Sequence, residues 1–513
     1  MHDIFYRLIC NILMNKKSVN IIAIFLLTML SIIVMWQEAK FGISGINNWK
    51  RLALIPALLL AQVSKSTLRI AFVLLIIYAI YSLTALTFGS MKIAFLVSAF
   101  ETNSNESIEY LKTFPALNYG VMLLFLLASI LFYKTASIIS VPHFYYKVIA
   151  IALFFIFTVF SWPGTLIRQT IVMGKEYYEA RQILINSINQ LDSWKVETTS
   201  KYNQYDNYVL VIGESVRKDY LSVYGYSHPT TPWLDKVNGK FVDGYISMGA
   251  NTVSSLSRTL AQSVGDGMEF IPENNIMTLA NKGPYFTSWI SNQGKIGRHD
   301  TSTSTIAIRA KNTFFMNKGD YSGQNLDDKD MLVHLDQVLK LKSEDPKLTV
   351  LHMLGSHPDT CERLHDFPNN FNLEQGERFN CYLATIEKTD DFLRQVAEAL
   401  SKQGSYSLMY FSDHGMSVES DMVRVDGKIK NAYETPLIVL NSDDEDHIVI
   451  KKTISGYNFT DIFANWLGLS IDNETKLYDL SHISNIPEPK TVLANNTGKM
   501  INPMVLPEQP VLE

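Results

Sequence analysis

Residues 208–215 read YVLVIGES, a β-branched and aromatic run that ends on a carboxylate, Glu214. Two later runs end in a similar way: LTVLHMLGSH (348–357) on His357, and SLMYFSDHG (407–415) on Asp413 and His414. Short, continuous apolar runs of this kind read as strands buried on both faces, the mark of a mostly parallel sheet covered by helices. In such sheets ligands bind in the crevice beyond the carboxyl ends of the strands. Residues far apart in sequence are therefore expected to converge there. Asp413 beside His414 offers a hard oxygen and an imidazole nitrogen to one cation, whereas Glu214 taken alone reads as a solvated or capping residue.

From residue 205 onward strand-like runs alternate with helical stretches such as 328–343 and 378–402, so an α/β catalytic domain is expected over 205–490. Residues 491–513 carry several prolines and little pattern, and read as a peripheral tail.

The chain has 513 residues, more than one hydrophobic core usually organises, and its charge divides it. Residues 1–170 hold 13 Lys/Arg against 5 Asp/Glu, a net of +8, which leaves −13 for the remainder of a chain whose total is −5. The basic front is also the apolar part. Residues 20–36 and 69–88 are near the roughly 20 residues that cross a bilayer, and further apolar stretches lie at 117–133 and 147–162. A shorter one, RLALIPALLLAQV at 51–63, lies between two of these spans. The expectation is an all-α transmembrane domain of about five helices over 1–162, followed by a helical connector over 163–204.

An odd number of spans places the two chain ends on opposite sides of the membrane. With Arg7, Lys16, Lys17, Lys65, Arg69, Lys134 and Lys147 inside, the α/β domain lies outside, together with Lys40, Lys50, Arg51, Lys92 and Lys112. The loop 101–117 is then outside as well, either reaching toward the site or serving as a polar connector. Cys10 precedes the first span, while Cys361 and Cys381 both fall in the α/β domain, where an oxidising compartment permits one disulfide. Nucleic acid is not expected as a partner.

A metal site alone does not define a reaction, and the segment MGANTVSSLSRTLAQSV (248–264) supplies a candidate nucleophile. Thr252 stands where the pattern turns helical, with Ser254, Ser255 and Ser257 in the first turns. A hydroxyl at a helix N-terminus lies beside free backbone N–H groups, a setting that suits a bound phosphoryl group. Metal coordination lowers the hydroxyl pKa and makes it an attacking group. Read in isolation, Thr252 or a neighbouring serine is an N-cap.

Five segments occur in an order that resembles one family. They are VIGESVRKDYLSVYGYSHPTTPWLD ending at Asp235, NTVSSLS (251–257), WISNQGK (289–295), MLGSHPDTCERL (353–364) and FSDHG (411–415). Together they resemble the bacterial phosphoethanolamine transferases, inner-membrane enzymes with a five-helix membrane domain and a periplasmic domain of the alkaline phosphatase/sulfatase type. The resemblance implies zinc held by Glu214, Thr252, Asp413 and His414, with Thr252 as the nucleophile. That hydroxyl takes phosphoethanolamine from phosphatidylethanolamine, leaves diacylglycerol, and passes the group to an envelope glycan or glycolipid: lipopolysaccharide core, lipid A or a periplasmic glucan. It further implies that His357 contacts the phosphoryl group or a second metal, and that Asn292 and Lys295 lie near the donor phosphate. It also places the chain in the bacterial inner membrane with its catalytic domain in the periplasm.

The chain departs from the family at two places. Met416 follows Gly415 where many members carry glutamate, and GSHPD replaces the G-S-H-G-P form. Both changes bear on a second metal and one donor contact rather than on the four ligands. Two other readings use the same fold: a metal-dependent phosphodiesterase or sulfatase-like hydrolase with water as acceptor, and a non-catalytic membrane scaffold. Sulfate-ester chemistry needs a modified Cys or Ser in a C/S-x-P-x-R context, which TVSSL lacks.

Overall fold

The computed structural model describes residues 16–40, 52–89, 111–112, 114–187, 190–294, 302–317, 326–420, 422–471, 480, 493–494 and 499–513. The chain divides into two units, one of Met1–Leu96 with Phe114–Tyr177 and the other of Val97–Thr113 with Tyr178–Glu513.

The first unit is helical: α1 (Lys16–Lys40), α2 (Leu54–Ala61), α3 (Lys65–Phe88), α4 (Ala116–Thr135), α5 (Phe144–Phe160) and the first part of α6 (Trp162–Ser187), which continues into the second unit. Small and aromatic residues of α1, α3 and α4 face inward, among them Ala23, Ser31, Ala79, Ser82, Phe125 and Ala128. Ile21, Phe25, Val73, Ile80, Leu124 and Leu127 are exposed on the outer faces. That inversion suits hydrocarbon: small residues let backbones approach, while the apolar outer face meets lipid. Two amides inside are paired, that of Asn20 donating to the Phe132 carbonyl (3.2 Å) and that of Asn118 to Thr87 Oγ1 (2.7 Å).

Among the described residues three helical stretches are long and apolar enough to span: Lys16–Trp36, Lys65–Thr87 and Ala116–Thr135. A fourth arises if Phe144–Phe160 and Pro163–Val172, bent by 65°, act together. The stretch read as a span at 51–63 forms only the eight-residue α2. Eight residues rise about 12 Å, well short of the roughly 30 Å of hydrocarbon. The connector expected over 163–204 is mostly α6. A strand at Val196–Thr198 already belongs to the second unit, pairing antiparallel with Leu469–Ile471.

The second unit is built on eight strands: β1 (Asn207–Gly213), β2 (Gly239–Ile246), β3 (Phe286–Gly294), β4 (Asn312–Asn317), β5 (Lys347–His352), β6 (Tyr406–Ser412), β7 (Leu437–Asn441) and β8 (His447–Ser455). They are ordered β8-β2-β7-β6-β1-β5-β3-β4, and every pairing is parallel except the two made by β7. Period-two alternation sends Tyr208, Leu210 and Ile212 of β1 to one face, where they pack with α8 (Ile276–Lys282) and α12 (Phe459–Trp466). Val209 and Val211 go to the other, under α9 (Met331–Leu339) and α11 (Glu377–Ser401). Both faces are thus buried, which is why the strand sequences read as unbroken apolar runs.

Register levels the strand ends. Ile212 of β1 lies opposite His352 of β5 and Phe411 of β6, and Gly213 opposite Ser412. Glu214 and Asp413 leave the sheet side by side. Cys361, in the short helix α10 (Thr360–Arg363), is bonded to Cys381 of α11. Residues 499–513 are mostly exposed but make specific contacts. They lie against the loops after β1: Tyr226 donates to the Leu512 carbonyl (2.9 Å), and the Leu512 N–H to the Tyr220 hydroxyl (3.3 Å).

Candidate active site

Three buried ligand-type side chains meet at these strand ends. Glu214, Asp413 and His414 present atoms that all lie within 4.8 Å of one another. His414 Nε2 is 3.4 Å from Glu214 Oε1 and 3.4 Å from Asp413 Oδ2. Thr252 closes the group from the first residue of α7 (Thr252–Thr259), its hydroxyl donating to Glu214 Oε2 at 3.1 Å and standing 3.4 Å from His414 Nε2. All four expected ligands therefore converge.

Local sequence explains each placement. Asn251, not Thr252, is the N-cap of α7, its side chain accepting from the Ser254 N–H at 2.9 Å. The threonine hydroxyl is released from capping and faces the carboxylates. Ser255, one turn on, donates to the Asp413 carbonyl and ties the helix to that turn. Asp413 Oδ1 accepts from the Ser215 and His414 N–H groups (3.0 and 2.8 Å), which fixes the carboxylate. Ser215 sits at φ 64°, a left-handed backbone unusual for a residue with a Cβ. The Tyr382 hydroxyl, donating to the Ser215 carbonyl at 3.0 Å, helps to hold it there.

The His414 imidazole is oriented by its own turn. Nδ1 lies 2.8 Å from the Gly415 carbonyl, which only accepts, so Nδ1 carries a proton and Nε2 is the nitrogen that faces the carboxylates and is left to bind a cation when its own proton is displaced.

Electrostatics mark the site as one suited to a positive centre. Burial pushes the Asp413 carboxyl up to about 7, aided by the charge of Glu214. Burial acts on Glu214 too, but the hydrogen bond and charge of His414 outweigh it and hold Glu214 below the usual carboxylate range. The same two carboxylates lift His414 to about 9 against its own desolvation. Asp413 Oδ2 is buried with no hydrogen-bond partner. A buried carboxylate oxygen without a donor is costly, and a divalent cation supplies what is absent. Two carboxylates, an imidazole with Nε2 facing them and a hydroxyl form a donor set that fits zinc.

His357 is half-buried at the rim, near enough for its charge to help lower Glu214. Its loop is pinned to the site: the Ser356 N–H donates to the Glu214 carbonyl at 3.0 Å. Gly355 lies at φ 46°, and a Cβ there would come within 3.1 Å of the Glu214 backbone, so only glycine lets the loop approach so closely. Asn292 is fully buried. Its amide donates to Asp328 Oδ1 (2.8 Å) and the Leu326 carbonyl (2.9 Å), and Asp328 accepts from the Leu354 and Gly355 N–H groups. Lys295 lies outside the described residues.

Two neighbours have no clear signal in the sequence. His352, the last residue of β5, is pushed down to about 4 by burial and is therefore neutral at physiological pH. Arg217, three residues after Glu214, is fully buried and binds Asp219 through Nε (2.9 Å) and Nη2 (2.6 Å).

Known proteins resemble this chain in sequence and in fold. Residues 206–470 match the sulfatase family. The chain is 32% identical over 420 residues to phosphoethanolamine transferase OpgE of Escherichia coli (strain K12), covering 77% of this chain and 79% of that protein. It is similar in structure to the integral membrane protein lipooligosaccharide phosphoethanolamine transferase A (EptA) of Neisseria meningitidis. That likeness has a TM-score of 0.62 at 17% identity over 88% of this chain and 96% of the other. The C-terminal periplasmic domain of EptC from Escherichia coli, solved with zinc, aligns with a TM-score of 0.52 at 20% identity, covering 62% of this chain and 98% of that one. These two structural likenesses speak to the fold alone.

Proposed function

The chain is an enzyme of the bacterial phosphoethanolamine transferase family, with a sulfatase-type catalytic domain, and we propose that Thr252 carries phosphoethanolamine from phosphatidylethanolamine to a hydroxyl of an envelope glycan or glycolipid. The observation that carries this reading is the Thr252 hydroxyl at the N-terminus of α7, 3.1 Å from Glu214 and 3.4 Å from His414.

In the first half-reaction a bond forms between Thr252 Oγ1 and phosphorus as the bond from phosphorus to the glycerol oxygen breaks. The threonine proton leaves along its hydrogen bond toward Glu214, and the departing oxygen gains a proton to give diacylglycerol. In the second half-reaction an acceptor hydroxyl attacks phosphorus and Thr252 Oγ1 leaves. Phosphoryl transfer asks mainly for positioning and for positive charge around the non-bridging oxygens. The α7 N-terminus supports the first need with its free N–H groups. Glu214, Thr252, Asp413 and His414 would hold one zinc ion, which would supply Lewis-acid charge and lower the hydroxyl pKa. His357 is read as the residue that meets the phosphoryl group.

The transmembrane unit anchors the enzyme in the bacterial inner membrane, where a hydroxyl nucleophile can meet a lipid headgroup. In this reading the catalytic domain faces the periplasm. The pairing of Lys112 with Glu362 and Asp359 supports placing Lys112 on the same side as the catalytic domain. The Cys361–Cys381 bond suits an oxidising compartment.

The reading is tested with the full chain in detergent, zinc-loaded and given phosphatidylethanolamine without acceptor. Diacylglycerol is expected to appear, to stop when the zinc is chelated, and to resume when zinc is returned. Release that ignores the chelator, or no release by zinc-loaded protein, would overturn it.

A further inference from the structure

The most unusual buried contact lies outside the ligands. Arg217 has no exposed surface, yet its guanidinium is shared between Asp219 and a residue 292 positions away. Gln509, in the C-terminal segment, accepts from Arg217 Nη1 through Oε1 at 2.6 Å. The same Oε1 accepts from the Val418 N–H (2.8 Å), and Nε2 donates to Ser417 Oγ (3.1 Å). Its backbone N–H donates to Asn431 Oδ1 at 2.7 Å, and the Asn431 amide in turn donates to Asp219 Oδ2 at 2.7 Å. One side chain thus joins the loop that follows Glu214 to the loop that follows His414.

These contacts reach a ligand through Gly415. A Cβ on Gly415 would lie 2.8 Å from Arg217 Cγ and 2.6 Å from the Asn431 carbonyl, so the glycine fills a slot whose two walls Gln509 holds. The Gly415 carbonyl is the acceptor that sets the His414 tautomer and aim. If the walls move, the carbonyl moves with them and Nε2 loses its direction.

We propose that Gln509 is a positioning residue of the metal centre: it locks Arg217 and Asn431 around Gly415 and thereby fixes the aim of His414 Nε2. The proposal rests on the metal-centre reading above. Groups that support metal ligands typically contribute 10- to 100-fold in metal affinity, and the same range is expected here.

The test is zinc affinity of the full chain in detergent, measured by competition with a chelating dye, with thermal melting of the metal-free protein alongside. Gln509→Ala is expected to weaken zinc binding about 10- to 100-fold. Gln509→Glu keeps the oxygen that accepts from Arg217 and Val418, and is expected to recover most of the loss. Tyr226→Phe cuts the C-terminal segment's bond to the Leu512 carbonyl but leaves Gln509 in place. It is expected to lower the melting temperature without changing zinc affinity. If Gln509→Ala does not fold, Gln509→Asn, one methylene shorter, decides by the same readout. Wild-type affinity in the alanine or asparagine variant, or an equal loss in Tyr226→Phe, would overturn the proposal. A wild-type protein that takes up no zinc would instead overturn the metal-centre reading, a distinct outcome because no variant comparison enters it.

Discussion

Replacing Thr252 by alanine is expected to cut phosphoethanolamine transfer on the order of 10⁴-fold or more, the scale seen when a covalent nucleophile is removed. The fold should survive, since Thr252 is only half-buried and the α7 cap belongs to Asn251. Thr252→Ser keeps a hydroxyl at the same backbone position and is expected to retain measurable turnover. Ser257→Ala supplies the control: its hydroxyl donates to the Val253 carbonyl within the helix and does not face the ligands, so activity should be unchanged. Steady-state transfer rates on these three variants check the assignment. Substantial transfer by Thr252→Ala would remove the covalent step.

Asp413→Asn is expected to move metal binding and metal-free stability in opposite directions. The asparagine Oδ1 can keep both backbone bonds that Asp413 Oδ1 accepts, from Ser215 and His414. Its amide then occupies the place of Oδ2, which is buried without a partner, and can donate toward Glu214. Removing a buried, unsatisfied charge recovers on the order of 1–3 kcal/mol, so the metal-free protein should melt several degrees higher. Zinc affinity should fall by at least about 100-fold, beyond what groups that merely support ligands contribute. Transfer should vanish with it. Melting curves with and without zinc read both effects. A variant less stable when metal-free, or one that still binds zinc tightly, would show that Asp413 is a structural carboxylate.

The α/β layering and three of the metal-site residues are legible in the sequence for one reason. Parallel strands buried on both faces read as unbroken apolar runs, and the polar residue that ends each run stands at the crevice by geometry. Thr252 is half legible. The pattern marks a helix start, but whether a threonine or serine caps it depends on Asn251 taking that role, which requires the backbone conformation. Asn292 illustrates the opposite case: its sequence neighbourhood resembles a substrate contact, while its amide is spent on Asp328. Arg217 and Gln509 are not legible at all, because a pairing across 292 positions has no local periodicity to announce it. In the membrane unit, apolar composition identifies the long helices but misjudges 51–63. Hydropathy does not report that the helix there, Leu54–Ala61, has only eight residues.

The central claim is that Thr252 becomes covalently loaded, and intact mass reads this directly. Zinc-loaded full-length protein is incubated with phosphatidylethanolamine in the absence of acceptor, beside a chelated sample and the Thr252→Ala variant. The expected result is a gain of one phosphoethanolamine group in the first sample only, with the added mass mapped to Thr252. Diacylglycerol or headgroup release without any adduct, or an adduct that persists in Thr252→Ala, would contradict it, the former pointing to direct hydrolysis by water.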